Sequence, residues 1–85
     1  MEIAVEISLY PLDADFIPPI QGFIDRLQDI PGLKVVTNSM STQIFGSYDV
    51  VMNTLARELR GTFAAVDKAV FVMKVLGPLS GAEPA

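Results

Sequence analysis

The 85 residues include no cysteine, no histidine and no tryptophan, and each absence removes a class of chemistry. Without thiols and imidazoles there is no thiolate or imidazole metal ligand, no thiol nucleophile and no base that titrates near neutrality. Most enzyme chemistry goes with them, and no cofactor is expected. Positive charge is scarce as well: Arg26, Lys34, Arg57, Arg60, Lys68 and Lys74 occur singly, against a net charge of -4. Such a chain offers no basic stripe for phosphates, so nucleic acid is not an expected partner. Long apolar runs are also missing. None approaches the roughly 20 residues that cross a bilayer, and Met1-Glu2-Ile3 lacks the basic start of a signal peptide. The reading is a soluble, cytoplasmic protein with no membrane partner.

What is present suffices for one small core. Hydrophobic residues make up 51% of the chain, enough to fold a single domain over residues 1–78, followed by a small, polar and flexible tail over 79–85. A chain this short buries only about two-thirds of its unfolded surface, so a partner subunit would add to its stability.

Residues 2–10 alternate with a period of two, Ile3, Val5, Ile7 and Leu9 on one face and Glu2, Ala4, Glu6, Ser8 and Tyr10 on the other, which predicts a half-buried strand. Pro11 ends it, and Leu12-Asp13-Ala14-Asp15 connects onward. Ile17, Ile20, Phe23 or Ile24, and Leu27 then fall at helical spacing, and Pro18 and Pro19 fit a first turn, predicting a helix over 18–28. Gly22 within it implies a close approach to the sheet or to a neighbour. Asp29-Ile30-Pro31-Gly32 is a turn. A second strand is expected over 33–40, with Lys34, Val36, Asn38 and Met40 on the outer face, because the opposite parity buries an ammonium and an amide without partners. A third covers 42–45, Ile44 inward and Gln43 and Phe45 outward, with Gly46 at a sharp exit. Ser47 caps a second helix, Asp49 suits its first turn, and Val51, Met52, Leu55, Leu59, Phe63 and Val66 carry it to about Ala65. The last strand covers 69–76.

The order strand, helix, strand, strand, helix, strand defines an α+β, ferredoxin-like βαββαβ sandwich: a four-stranded antiparallel sheet with two helices on one face. Its other face carries Glu6, Ser8, Val36, Asn38, Met40, Gln43, Phe45, Val70, Val72 and Lys74. That face is too apolar to leave wet, and the expected cover is a second copy of the chain, in a homodimer or a higher homo-oligomer.

The stretch 38–49 stands out, because short hydroxyl and amide side chains are interleaved there with Met40, Ile44 and Phe45. Two readings are open. It is an inter-strand turn whose Ser and Thr satisfy one another across the ladder, or it supplies the polar edge of a pocket for a small heterocycle. Together with the run Glu6 to Leu12, and with Tyr48-Asp49 and Val51-Met52, the segment Asn38-Ser39-Met40-Ser41-Thr42-Gln43-Ile44-Phe45-Gly46 resembles the YkoF-like family of thiamine- and hydroxymethylpyrimidine-binding proteins. The resemblance implies a ferredoxin-like domain that binds the pyrimidine of thiamine without turning it over, in thiamine salvage or transport. It also implies that two chains supply what tandem repeats supply in the two-repeat member.

An aminopyrimidine has ring-nitrogen acceptors, an exocyclic amino donor and a flat face. Asn38, Ser39, Thr42 and Gln43 can satisfy the edge, Met40 and Phe45 can cover the face, and Ser8 lies on the same outer face. Tyr10 closes the pocket or is an exposed edge residue. Glu6 is a counter-charge for the thiazolium of thiamine or an ion-pair partner of Lys74. The alternative function is an ACT-like regulatory or structural dimerisation module, with another small ligand or none. An acylphosphatase-like enzyme would want an Arg in an anion-binding loop, whereas Arg26, Arg57 and Arg60 are expected on helices facing solvent.

Overall fold

The computed structural model describes residues 1–12 and 17–79. The expected connection at Asp13, Ala14 and Asp15, and the tail from residue 80 on, lie outside the described residues. The elements are β1 (Glu2–Pro11), α1 (Ile17–Gln28), β2 (Lys34–Thr37), β3 (Thr42–Ser47), α2 (Tyr48–Ala65) and β4 (Ala69–Leu76). They form one antiparallel sheet in the order β2-β3-β1-β4. This is the ferredoxin-like α+β architecture that the sequence predicts. Among the described residues no helix is long and apolar enough to cross a membrane.

The alternation of β1 becomes the spine of the core. Ile3, Val5, Ile7 and Leu9 are buried against Phe23 and Leu27 of α1, Ile44 of β3, and Val51 and Leu55 of α2. Both ends of the helices follow local chemistry. Pro18 and Pro19 occupy the first turn of α1, where amides have no carbonyl to meet. After α1, Leu33 N donates to Ile30 O at 3.3 Å, and Gly32 takes a positive φ of 87°, which a type II turn requires at that position. The side chain of Ser47 accepts from Val50 N and caps α2.

Four expectations change. The second strand stops at Thr37, because Asn38 turns the chain. Gly46 lies inside β3 instead of at an exit: a Cβ there would sit 2.9 Å from the Gly32 carbonyl oxygen and 3.1 Å from Leu33 Cδ2, so glycine lets the turn after α1 pack against the sheet. Gly22 marks no close approach to the sheet, since among the described residues a Cβ there would meet Arg26 of its own helix alone, at 3.2 Å. Finally, the buried stripe of α2 is Val51, Thr54, Leu55, Glu58 and Thr62. Phe63 is half-exposed and packs edge-on against Phe71, which in turn meets Phe23. Glu58 is held by Arg26 Nε of α1 at 2.8 Å, so Arg26 ties the helices together as well as facing solvent.

Candidate functional site

The strand β1 outruns its neighbour. Its pairing with β3 ends at Ile7 and Thr42, whereas its pairing with β4 continues through Ser8, Leu9, Tyr10 and Pro11. The last residues of β1 therefore have a strand on one side only. Across the gap stands the β2–β3 turn, and beneath it lies α1. Together these enclose a cavity of about 530 Å³ that opens at the end of the sheet. Ile7, Leu9, Ile20, Phe23 and Ile24 give it an apolar floor, and Ser8, Thr37, Asn38, Ser39, Ser41 and Thr42 supply its polar rim.

The turn is built by Asn38. Its Oδ1 accepts from Met40 N at 2.7 Å and from Ser41 N at 3.0 Å, and its own N–H donates to Ser41 O at 3.1 Å. An Asn side chain that bonds the main chain two and three residues on pulls the backbone out of a ladder. Behind the turn the hydroxyls of Thr37 and Thr42 pair at 2.8 Å. The inter-strand turn reading of this segment thus describes its local structure, and the turn is also the wall of the cavity.

The residues singled out in the sequence divide between two places. Ser8, Tyr10, Asn38, Ser39, Met40 and Thr42 line the end cavity. Thr42 is buried on the helix side of the sheet, while Tyr10 and Met40 are exposed at the rim. Ser8 Oγ reaches the Met40 carbonyl at 3.4 Å. Glu6, Gln43 and Phe45 line a separate depression of about 350 Å³ on the open sheet face, with Lys74. There Glu6 lies opposite both Gln43 and Lys74 in the ladder. One of its oxygens is 3.8 Å from Lys74 Nζ, and the other accepts from Ser41 Oγ at 3.2 Å. The Lys34 ammonium lies 5.8 Å from the centre of the Phe45 ring.

Sequence reasoning missed the apolar half of the cavity, Ile20, Phe23 and Ile24, because a core-facing helical stripe and a cavity floor look alike until the strand beside them stops. It also missed the pair of Arg26 with buried Glu58. Spacing could have found that one, since Glu58 continues the phase of Val51 and Leu55.

Fold and cavity together define the class: a ferredoxin-like α+β domain that is open at one end of its sheet. The model of the YKOF-related Family matches residues 2–76, and the chain belongs to that family. No curated protein sequence matches it. Among solved structures it is similar to SP2199 of Streptococcus pneumoniae, with a TM-score of 0.84 and 22% identity, covering 93% of this chain and 89% of that one. It is also similar to MJ1052 of Methanocaldococcus jannascii, with a TM-score of 0.79 and 24% identity, over 96% and 84% of the two chains. A third similar structure is TM0486 of Thermotoga maritima, for which a role in thiamine biosynthesis or salvage has been suggested. Its TM-score is 0.67 and its identity 18%, over 88% and 82% of the chains. At these identities the likeness is one of fold.

Proposed function

We propose that this chain binds thiamine or its hydroxymethylpyrimidine moiety without catalysing a reaction, in thiamine salvage or transport in the cytoplasm. The observation that carries the reading is the end cavity, whose volume of about 530 Å³ suits a small heterocycle. A flat ring needs apolar walls and a few polar groups at one edge. Ile20, Phe23 and Ile24 offer the first, and the rim at Ser8 and Asn38 to Thr42 offers the second. The suggested role of TM0486 in thiamine metabolism supports the same reading. A chain without thiols or imidazoles is better suited to holding such a ligand than to transforming it.

Calorimetric titration with thiamine, thiamine diphosphate, hydroxymethylpyrimidine and a panel of amino acids tests the proposal. Heat with thiamine and hydroxymethylpyrimidine is the expected outcome, with no gain for the diphosphate. Heat with an amino acid alone would replace this reading with an ACT-like regulatory one.

The working assembly in this proposal is a homodimer, or a higher oligomer built on it, joined through the open sheet face. Val36, Val70, Val72 and Leu76 support it, because all are exposed on that face of a domain with little core to spare. Sedimentation should show a dimer at micromolar concentration, and Phe45→Glu should dissociate it by setting a carboxylate against an apolar sheet. A wild-type monomer would end this part of the account.

A further inference from the structure

Antiparallel pairing locates an unfilled rung in the sheet. In such a ladder a central strand sends the N–H and C=O groups of successive residues alternately to its two neighbours. Leu12 N donates to Lys68 O at 2.9 Å, and Tyr48 N donates to Met1 O at 2.9 Å. Carried along the two registers, these bonds fix the phase of β1: even-numbered residues address β4 and odd-numbered residues address β3. On that second side Ile3, Val5 and Ile7 are met by Gly46, Ile44 and Thr42. Leu9 comes next, and continuing the register puts Met40 opposite it.

Met40 is already engaged. Its N–H goes to Asn38 Oδ1 and its C=O accepts from Ser8 Oγ. Leu9 is left with an N–H and a C=O, side by side, directed across the gap into the cavity that it lines and without a hydrogen-bond partner among the described residues. The residue is 7% exposed and lines the cavity, so water reaches these two groups only through the cavity. Pro11, the next residue in phase, has no N–H, which makes Leu9 the last main-chain donor on this side of β1.

We propose that the main chain of Leu9 is the group that reads the ligand. Its amide and carbonyl match a planar molecule that carries an acceptor and a donor on adjacent atoms, the pattern of a ring nitrogen beside an exocyclic amino group. The inference rests on the ligand reading above and assigns specificity to the backbone of β1. Asn38 and Ser8 then act by engaging the Met40 N–H and C=O elsewhere, so that the rung stays open. A ligand that fills it exchanges cavity water for two hydrogen bonds, and one that lacks a matching group leaves a donor or acceptor unmet, which is costly.

The test uses nitrogen-15-labelled full-length protein, hydroxymethylpyrimidine, and its analogue with a methyl group in place of the exocyclic amino group. Without ligand, the Leu9 amide should exchange with solvent about tenfold or more faster than the Val5 and Ile7 amides, which have partners. Hydroxymethylpyrimidine should shift the Leu9 resonance and slow its exchange, and the methyl analogue should bind about tenfold or more weakly. A Leu9 amide as protected as that of Ile7 in the free protein would overturn the inference. Equal binding of both compounds with Leu9 unmoved would overturn it as well, while leaving the ligand reading intact. A fast Leu9 amide with neither compound binding would instead remove the ligand reading, and this inference with it.

Discussion

The strands β1 and β3 are paired tightly at one end and part at the other. At the Gly46 end the turn after α1 packs so close that a single added carbon would reach the Gly32 carbonyl oxygen. There Tyr48 N bonds Met1 O and Leu79 N bonds Glu2 O, so the sheet is knitted to its surroundings. At the other end the ladder stops at Ile7 and Thr42, and Asn38 folds the chain back before the next rung can form. The same two strands thus supply a structural anchor at one end and an open, half-polar cavity at the other. Close packing fills the first, and the missing strand leaves the second open.

Three substitutions set the two ends against each other. The largest effect is expected at the closed end. Gly46→Val puts carbon atoms against the backbone at Gly32 and against Val51, and overpacking of this kind costs about 1 to 3 kcal/mol, here toward the upper part of that range. Urea denaturation should show the loss, while the affinity of the remaining folded protein for hydroxymethylpyrimidine stays as in wild type. A fall in affinity as large as the fall in stability would mean that the two ends are not separable.

The next effect belongs to the open end. Asn38→Ala removes the acceptor of two main-chain bonds, so the turn relaxes toward Leu9 and the cavity loses its wall. Thiamine and hydroxymethylpyrimidine should weaken together, by about 1 to 3 kcal/mol, because they share the pyrimidine. Unchanged affinity for both, measured by calorimetry, would separate the turn from the site.

Glu6→Gln should have the smallest effect. Glu6 lies outside the end cavity, half-exposed, and its contact with Lys74 is a surface ion pair, worth less than about 1 kcal/mol. Both ligands and the melting temperature should change little. A loss confined to thiamine would return Glu6 to the role of counter-charge for the thiazolium and move the site to the open sheet face.

The fold was legible because its signals are periodic. The alternation in β1, the helical spacing around Phe23 and Leu27, and the Ser47 cap each point to one local structure, and they agree with one another. The candidate site was legible only as a composition. Asn38 and Met40 read as the outer face of a strand when the register is carried forward from Lys34, yet Asn38 with Ser39 and Ser41 is also a turn signature, and the side chain of Asn38 decides between them. Gly46 suggests an exit in the sequence because glycine both permits turns and admits close neighbours, and only the neighbour, Gly32, distinguishes the two. The rung at Leu9, unfilled among the described residues, has no signature of its own, because it arises from two strand lengths that differ.

A map of amide resonances across the whole chain on titration with hydroxymethylpyrimidine would locate the ligand at one end of the sheet or on its open face. The account predicts shifts concentrated at Ser8 to Leu12, at Thr37 to Thr42 and along Ile20 to Ile24, with Ile3, Gly46 and Tyr48 unmoved. Shifts gathered instead at Glu6, Gln43, Phe45 and Lys74 would contradict it, because they would place the ligand on the open sheet face.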